Sequence, residues 1–67
     1  MMQEFLIEFS FQNNGGRKNI IESLWAENAQ EAVRKIRFWY DDYYVTLRIE
    51  NVWCSRNGRW EVTEAWE

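Results

Sequence analysis

Asn57-Gly58 separates two alternating runs of residues, and no other pair constrains the fold of this chain as strongly. A two-residue hairpin loop of type I′ needs positive φ at both central positions, which Asn-Gly supplies. With that loop, Arg56 faces Arg59, Ser55 faces Trp60, Trp53 faces Val62, Asn51 faces Glu64 and Ile49 faces Trp66. Strict alternation then puts Val45, Leu47, Ile49, Trp53, Trp60, Val62 and Trp66 on one face. The other face carries Thr46, Arg48, Glu50, Cys54, Glu61, Thr63 and Ala65, with Val52 as its main apolar member. Three of the five tryptophans thus fall on one side of one hairpin.

Size makes that concentration informative. The 67 residues, 1–67, are expected to form one small domain. A domain of this length buries only about 60% of its unfolded surface. Disulfides, a metal or a partner chain often compensate. The single cysteine rules out an intrachain disulfide, and the lack of histidine leaves no basis for a structural zinc site. A dense aromatic core, a partner, or both remain. Aromatic residues are 18% of the chain, and each buried ring removes roughly 150–250 Å² from water.

Residues 3–11 alternate, with Phe5, Ile7, Phe9 and Phe11 on one side and Leu6, Glu8 and Ser10 on the other. This is the pattern of a half-buried strand. Asn13-Asn14-Gly15-Gly16 reads as a turn. A second strand follows at about 18–26. An even loop places Ile20 opposite Phe9 and Leu24 opposite Phe5; a three-residue loop with a bulge places Ile21 and Trp25 there instead. The residues leave both registers open.

Asn28, followed three residues later by Glu31, forms a near capping box. Ala29, Ala32, Val33, Ile36 and Tyr40 make the buried stripe of a helix that ends at 40 or 41. Glu31 and Lys35 form an i,i+4 pair on its wet side. Strands are expected at 43–55 and 59–66. The fold class is therefore α+β, in the order ββαββ: one four-stranded antiparallel sheet, order 2-1-3-4, with a single helix on one face. Thirteen helical residues span about 20 Å. Thirteen strand residues span about 43 Å. One short helix cannot cover such a hairpin, so an aromatic surplus is expected outside the core.

Trp53, Trp60 and Trp66 are accordingly the leading candidates for a partner contact, since tryptophan is enriched at interface hot spots. Their structural explanation is a curled sheet that takes the rings as ordinary core. Arg56 and Arg59 flank the tip; together with Arg48 and the exposed aromatics they suit a single-stranded nucleic-acid surface. The net charge of −3 and the absence of a wider basic stripe favour solvated turn arginines instead. Arg34, Lys35 and Arg37 read as the wet face and favourable C-terminal cations of the helix. Asp41 and Asp42 form either a helix-to-strand turn or an acidic patch for a basic partner. As adjacent carboxylates without further fixed oxygens they are poor metal ligands. Glu61, Glu64 and Glu67 give the last strand a charged edge that discourages aggregation.

Catalysis has little support. There is no histidine, the glycine pair Gly15-Gly16 precedes a strand, and Cys54 is set opposite the carboxylate of Glu61. No cofactor or metal is expected. The lone cysteine suits a reducing compartment, the start Met1-Met2-Gln3-Glu4 lacks the basic opening of a signal peptide, and no stretch is apolar enough to span a bilayer. The expectation is a cytoplasmic protein. In its look the chain resembles the short α+β proteins encoded by phages and mobile elements. That resemblance implies a small acidic protein that occupies a host protein's surface, although no motif transfers residue by residue. The leading expectation is a non-catalytic protein-protein interaction module using the aromatic face of the 43–66 hairpin, as a homodimer or with a different, basic protein partner. A single-stranded nucleic-acid-binding sheet and a structural subunit of a larger assembly are the competing classes.

Overall fold

The computed structural model describes residues 1–66. Strands β1 (Gln3–Asn13) and β2 (Gly16–Ala26) precede helix α1 (Ala29–Trp39), a short 3-10 turn (Asp41–Tyr43), and strands β3 (Arg48–Arg56) and β4 (Arg59–Val62). The four strands form one antiparallel sheet in the order β2-β1-β3-β4, with the helix on one face. This is the expected ββαββ arrangement.

Both hairpins follow from their turns. Asn57 has φ 51° and Gly58 has φ 75°, the pair of positive values a type I′ loop requires. Arg56 faces Arg59, Ser55 faces Trp60 and Trp53 faces Val62, as the sequence implies. The first hairpin takes the even loop: Asn13 faces Gly16, Phe9 faces Ile20 and Phe5 faces Leu24. Gly15 carries its positive φ of 100°.

The helix begins where its cap dictates. Asn28 Oδ1 accepts from the Glu31 amide at 2.8 Å, and Glu31 Oε1 accepts from the Glu27 amide at 3.0 Å. The box thus closes one residue earlier than the usual form, on Glu27 rather than on the cap itself. Ala29, Ala32, Val33 and Ile36 are buried against Phe5, Ile7, Phe9, Phe11, Leu24 and Val52. Tyr40 closes the stripe, its ring 4.8 Å from that of Phe9 in an edge contact. Tyr43 then stacks on Phe11 at 4.2 Å.

That stacking explains one correction. The third strand does not begin at Tyr43. Residues 40–47 instead coil through bonds from Tyr43 N to Tyr40 O, Tyr44 N to Asp41 O and Leu47 N to Tyr43 O. The coil holds Tyr43 over Phe11, and the strand starts only at Arg48.

A second correction concerns the faces. Glu8 faces Asn51 but Phe9 faces Ile49, so Glu50 is the extra residue of a β-bulge. An extra residue reverses the alternation beyond it. Leu47 and Ile49 lie on the helix side as expected, but past the bulge that side belongs to Val52 and Cys54, both buried. Trp53, Trp60 and Val62 lie on the side away from the helix. The grouping of these three with Leu47 and Ile49 does not hold.

The last strand is also shorter than expected. After Val62 a single further ladder bond forms, from Thr63 N to Val52 O at 2.7 Å. Asn51 does not pair with Glu64, nor Ile49 with Trp66. The segment turns to the helix side, where Gln30 Nε2 donates to Ala65 O at 3.1 Å and Trp66 packs on the core. Burial of a large ring against α1 outweighs further edge pairing. Glu67 lies outside the described residues.

Two outcomes are expected. Ile36, fully buried, should cost about 2–5 kcal/mol when cut to alanine, read by urea unfolding. Tyr40 donates its hydroxyl to Glu22 Oε2 at 3.3 Å. Burial first, then the nearby Glu22 charge and that bond, raise its pKa above the ordinary 10.0. The folded state therefore holds this proton more tightly than the unfolded one. Its contribution is complete below about pH 10 and is lost as pH rises through the higher folded value. Between pH 9 and 11 the wild type should lose more stability than Tyr40→Phe; equal losses would remove the coupling.

Candidate functional site

The helix covers one face of the sheet, and the residues of the other face can be read from the register. Across it run Trp25, Ser23, Ile21, Asn19 and Arg17 of β2, Glu4, Leu6, Glu8 and Ser10 of β1, Arg48, Asn51, Trp53 and Ser55 of β3, and Trp60 and Val62 of β4. No second layer lies on this side. Trp25 and Ile21 are more than half exposed, as is Val62, and Trp60 is 45% exposed. Leu6 and Trp53, directly opposed across the central strand pair, are half-buried. An apolar band therefore crosses all four strands at the end nearer the Asn57-Gly58 tip.

Next to the band the face is polar. Glu8 accepts from Asn51 Nδ2 at 2.8 Å and from Asn19 Nδ2 at 3.3 Å, which ties three strands together by side chains. Farther along, Arg17 donates to Ser10 Oγ at 2.9 Å and to Thr46 O at 3.0 Å. The first of these bonds satisfies Ser10, the one polar residue among those described that is buried.

The expected site residues separate into three groups. Trp53 and Trp60 share the open face. Trp66 is on the helix side, half-buried, beside a groove of about 520 Å³ lined by Gln30, Val33, Arg34 and Arg37. Arg56 and Arg59 form a cross-strand pair in phase with Cys54 and Glu61, so they project on the helix side, away from Trp53 and Trp60. Arg56 Nε lies 3.7 Å from Glu61 Oε1, both well exposed. An exposed pair of this kind adds little stability. Asp41 and Asp42 are exposed in the 3-10 turn at the opposite end of the molecule from the tip.

Trp25, Ile21 and Leu6 belong to the open face but were not among the expected residues. For Trp25 and Ile21 the signal is the even loop of the first hairpin, which puts odd-numbered β2 residues on the side of Leu6; for Leu6 it is the alternation of residues 3–11. A second apolar group, Phe38, Trp39, Tyr44 and Val45, is exposed around the end of α1 and the turn after it. Phe38 and Trp39 fall off the buried helical stripe, and that spacing is their only sequence signal.

Cys54 is buried, its thiol donating to Gln3 Oε1 at 3.0 Å. Among the described residues no helix is long and apolar enough to cross a membrane. Comparison with protein-family models, curated proteins and solved structures finds no match.

If the band stands outside the core, Ile21→Ser and Val62→Ser should each shift unfolding by no more than about 0.5 kcal/mol. Losses as large as that of Ile36→Ala would place these residues in a packed interior.

Proposed function

We propose that this chain is a non-catalytic protein-binding module whose partner covers the open face of the sheet. One observation carries the reading: an apolar band with three tryptophans, Trp25, Trp53 and Trp60, crosses a sheet face that has no layer of its own. Contiguous apolar surface rimmed by polar residues commonly marks a protein contact. Trp53 is already half-packed on Leu6 and opposes Val62, so it is held ready rather than ordered on binding. A preset ring loses less entropy when a partner arrives.

The charge around the band suits a partner with basic groups on its rim. Glu4 and Glu8 flank Leu6 on this face, and Glu4 faces Trp25. The two arginines of the tip project to the other side. Arg17 and Arg48 share this face but lie at its far end, with Arg17 bonded to Ser10 and Thr46. The aromatic rings therefore lack the close cationic neighbours that a single-stranded nucleic acid would need. The burial of Cys54 supports a non-catalytic role. The likeness to small phage proteins implies that the partner is a host protein, whose surface the module occupies.

The test compares Trp53→Ser/Trp60→Ser with Phe38→Ser, both checked for wild-type circular dichroism. A partner retained by the wild type should bind the double variant at least about thirtyfold more weakly, the scale of a hot-spot loss. Phe38→Ser should bind as the wild type does. Equal binding by all three would exclude the open face.

A further inference from the structure

The outer edge of β2 is a longer unpaired strand edge than that of β4, eleven residues against four. Which of its backbone groups point outward follows from one bond. Gln12 N donates to Thr46 Oγ1, on the side of β1 away from β2. Gln12 and Arg17 are therefore a non-hydrogen-bonded pair, and the N–H and C=O of Arg17 point away from β1. Alternation gives the same outward direction to Asn19, Ile21, Ser23 and Trp25. At the Trp25 end the edge is already closed, because Lys35 Nζ reaches over from α1 and donates to Trp25 O at 2.9 Å. The open run is Arg17 to Ser23, and its centre is Ile20.

We propose that a second copy of the chain pairs on this edge, β2 against β2 in antiparallel fashion, about a two-fold axis at Ile20. Residues facing each other across such an axis must lie on the same side of the sheet, which allows only pairings of odd with odd and even with even. Centring on Ile20 sets Arg17 opposite Ser23 of the second copy, Asn19 opposite Ile21, and Lys18 opposite Glu22. The outward backbone groups then meet one another in ladder pairs. The Lys18–Glu22 contact forms twice, in the closely spaced pairs where side chains interact most strongly. Lys18 has no ion-pair partner among the described residues. Ile20, half-buried at the rim of the core, meets its own copy and joins the two cores.

Neighbouring registers fit less well. Centring on Ile21 sets Leu24 against Lys18 and carries the ladder onto the Trp25 carbonyl that Lys35 occupies. Centring on Glu22 opposes two like carboxylates. The proposal rests on the backbone edge and its charges, independently of the function proposed above. It also leaves the open faces of both copies on the same side of one continuous eight-stranded sheet, with the two Ile21 side chains near the seam.

The test is mass in solution by sedimentation and light scattering across a concentration series of the full chain. The wild type should dimerise. Lys18→Glu and Glu22→Lys should each raise the dissociation constant at least about tenfold, since each turns both attractive pairs into repulsive ones. An equimolar mixture of the two variants restores both pairs in a heterodimer and should recover wild-type affinity. Ile21→Pro removes one outward donor without touching the β1 ladder, and should weaken the dimer while circular dichroism stays native. Trp53→Ser/Trp60→Ser should leave it intact, which separates this edge from the open face. A wild type that stays monomeric overturns the proposal. So does a dimer unaffected by either charge reversal, a mixture that fails to recover, or a dimer lost only with the tryptophans.

Discussion

The bulge at Glu50 governs how this small domain distributes its large side chains. Without it, the β3 alternation that places Leu47 and Ile49 under the helix would continue to Asn51 and Trp53. A tryptophan would then have to fit beside Ala29 and Ala32, and an asparagine would face Ile7. With it, Val52 and Cys54 take those positions and are almost wholly buried. Small residues on the sheet match the small residues on the first turn of α1, and the two layers approach closely. The tryptophan is displaced to the other side as a direct consequence of that fit.

The helix side gains its bulk elsewhere. Phe9, Phe11, Tyr40 and Tyr43 form a continuous aromatic group at the far end, with neighbouring rings 4.2 to 6.3 Å apart. The core therefore tapers, from one ring, Phe5, with Leu24, alanines and a cysteine near the tip to four rings near the 3-10 turn. Trp66 fills the flank that this taper leaves beside Val33. The segment after β4 thus serves as a third element of the layer, tied by Gln30 to Ala65.

Local chemistry made the architecture legible in advance. Asn57-Gly58, the Asn28 cap and the 29-32-33-36-40 stripe each depend on residues close in sequence, and each forms as its pattern implies. Strand order followed from two hairpins joined by one helix. What the pattern could not convey were decisions made by distant groups. The bulge answers the packing of Val52 on the helix. The late start of β3 answers the stacking of Tyr43 on Phe11. The exit of Trp66 answers a vacancy beside α1. For the candidate site, Trp53 and Trp60 were found by alternation although the bulge changed their side. Trp25 and Ile21 stayed ambiguous because one residue of loop length exchanges the faces of β2.

Cys54 gives the molecule a built-in reporter. Its sulfur is buried, bonded to the Gln3 amide oxygen, at the floor of a small surface pocket of about 210 Å³ bounded by Gln3, Asn28, Ala29, Thr63 and Ala65. A reagent in solution reaches it most readily when the rim of that pocket opens, either by β3 separating from β1 or by residues 63–65 lifting from α1. Alkylation of this one thiol therefore reports opening of the layer around the first turn of α1, with no label introduced. Because β1 and α1 wall one side of that pocket and β3 with residues 63–65 the other, the rate of that reaction would follow how firmly the two hairpins of the chain hold each other.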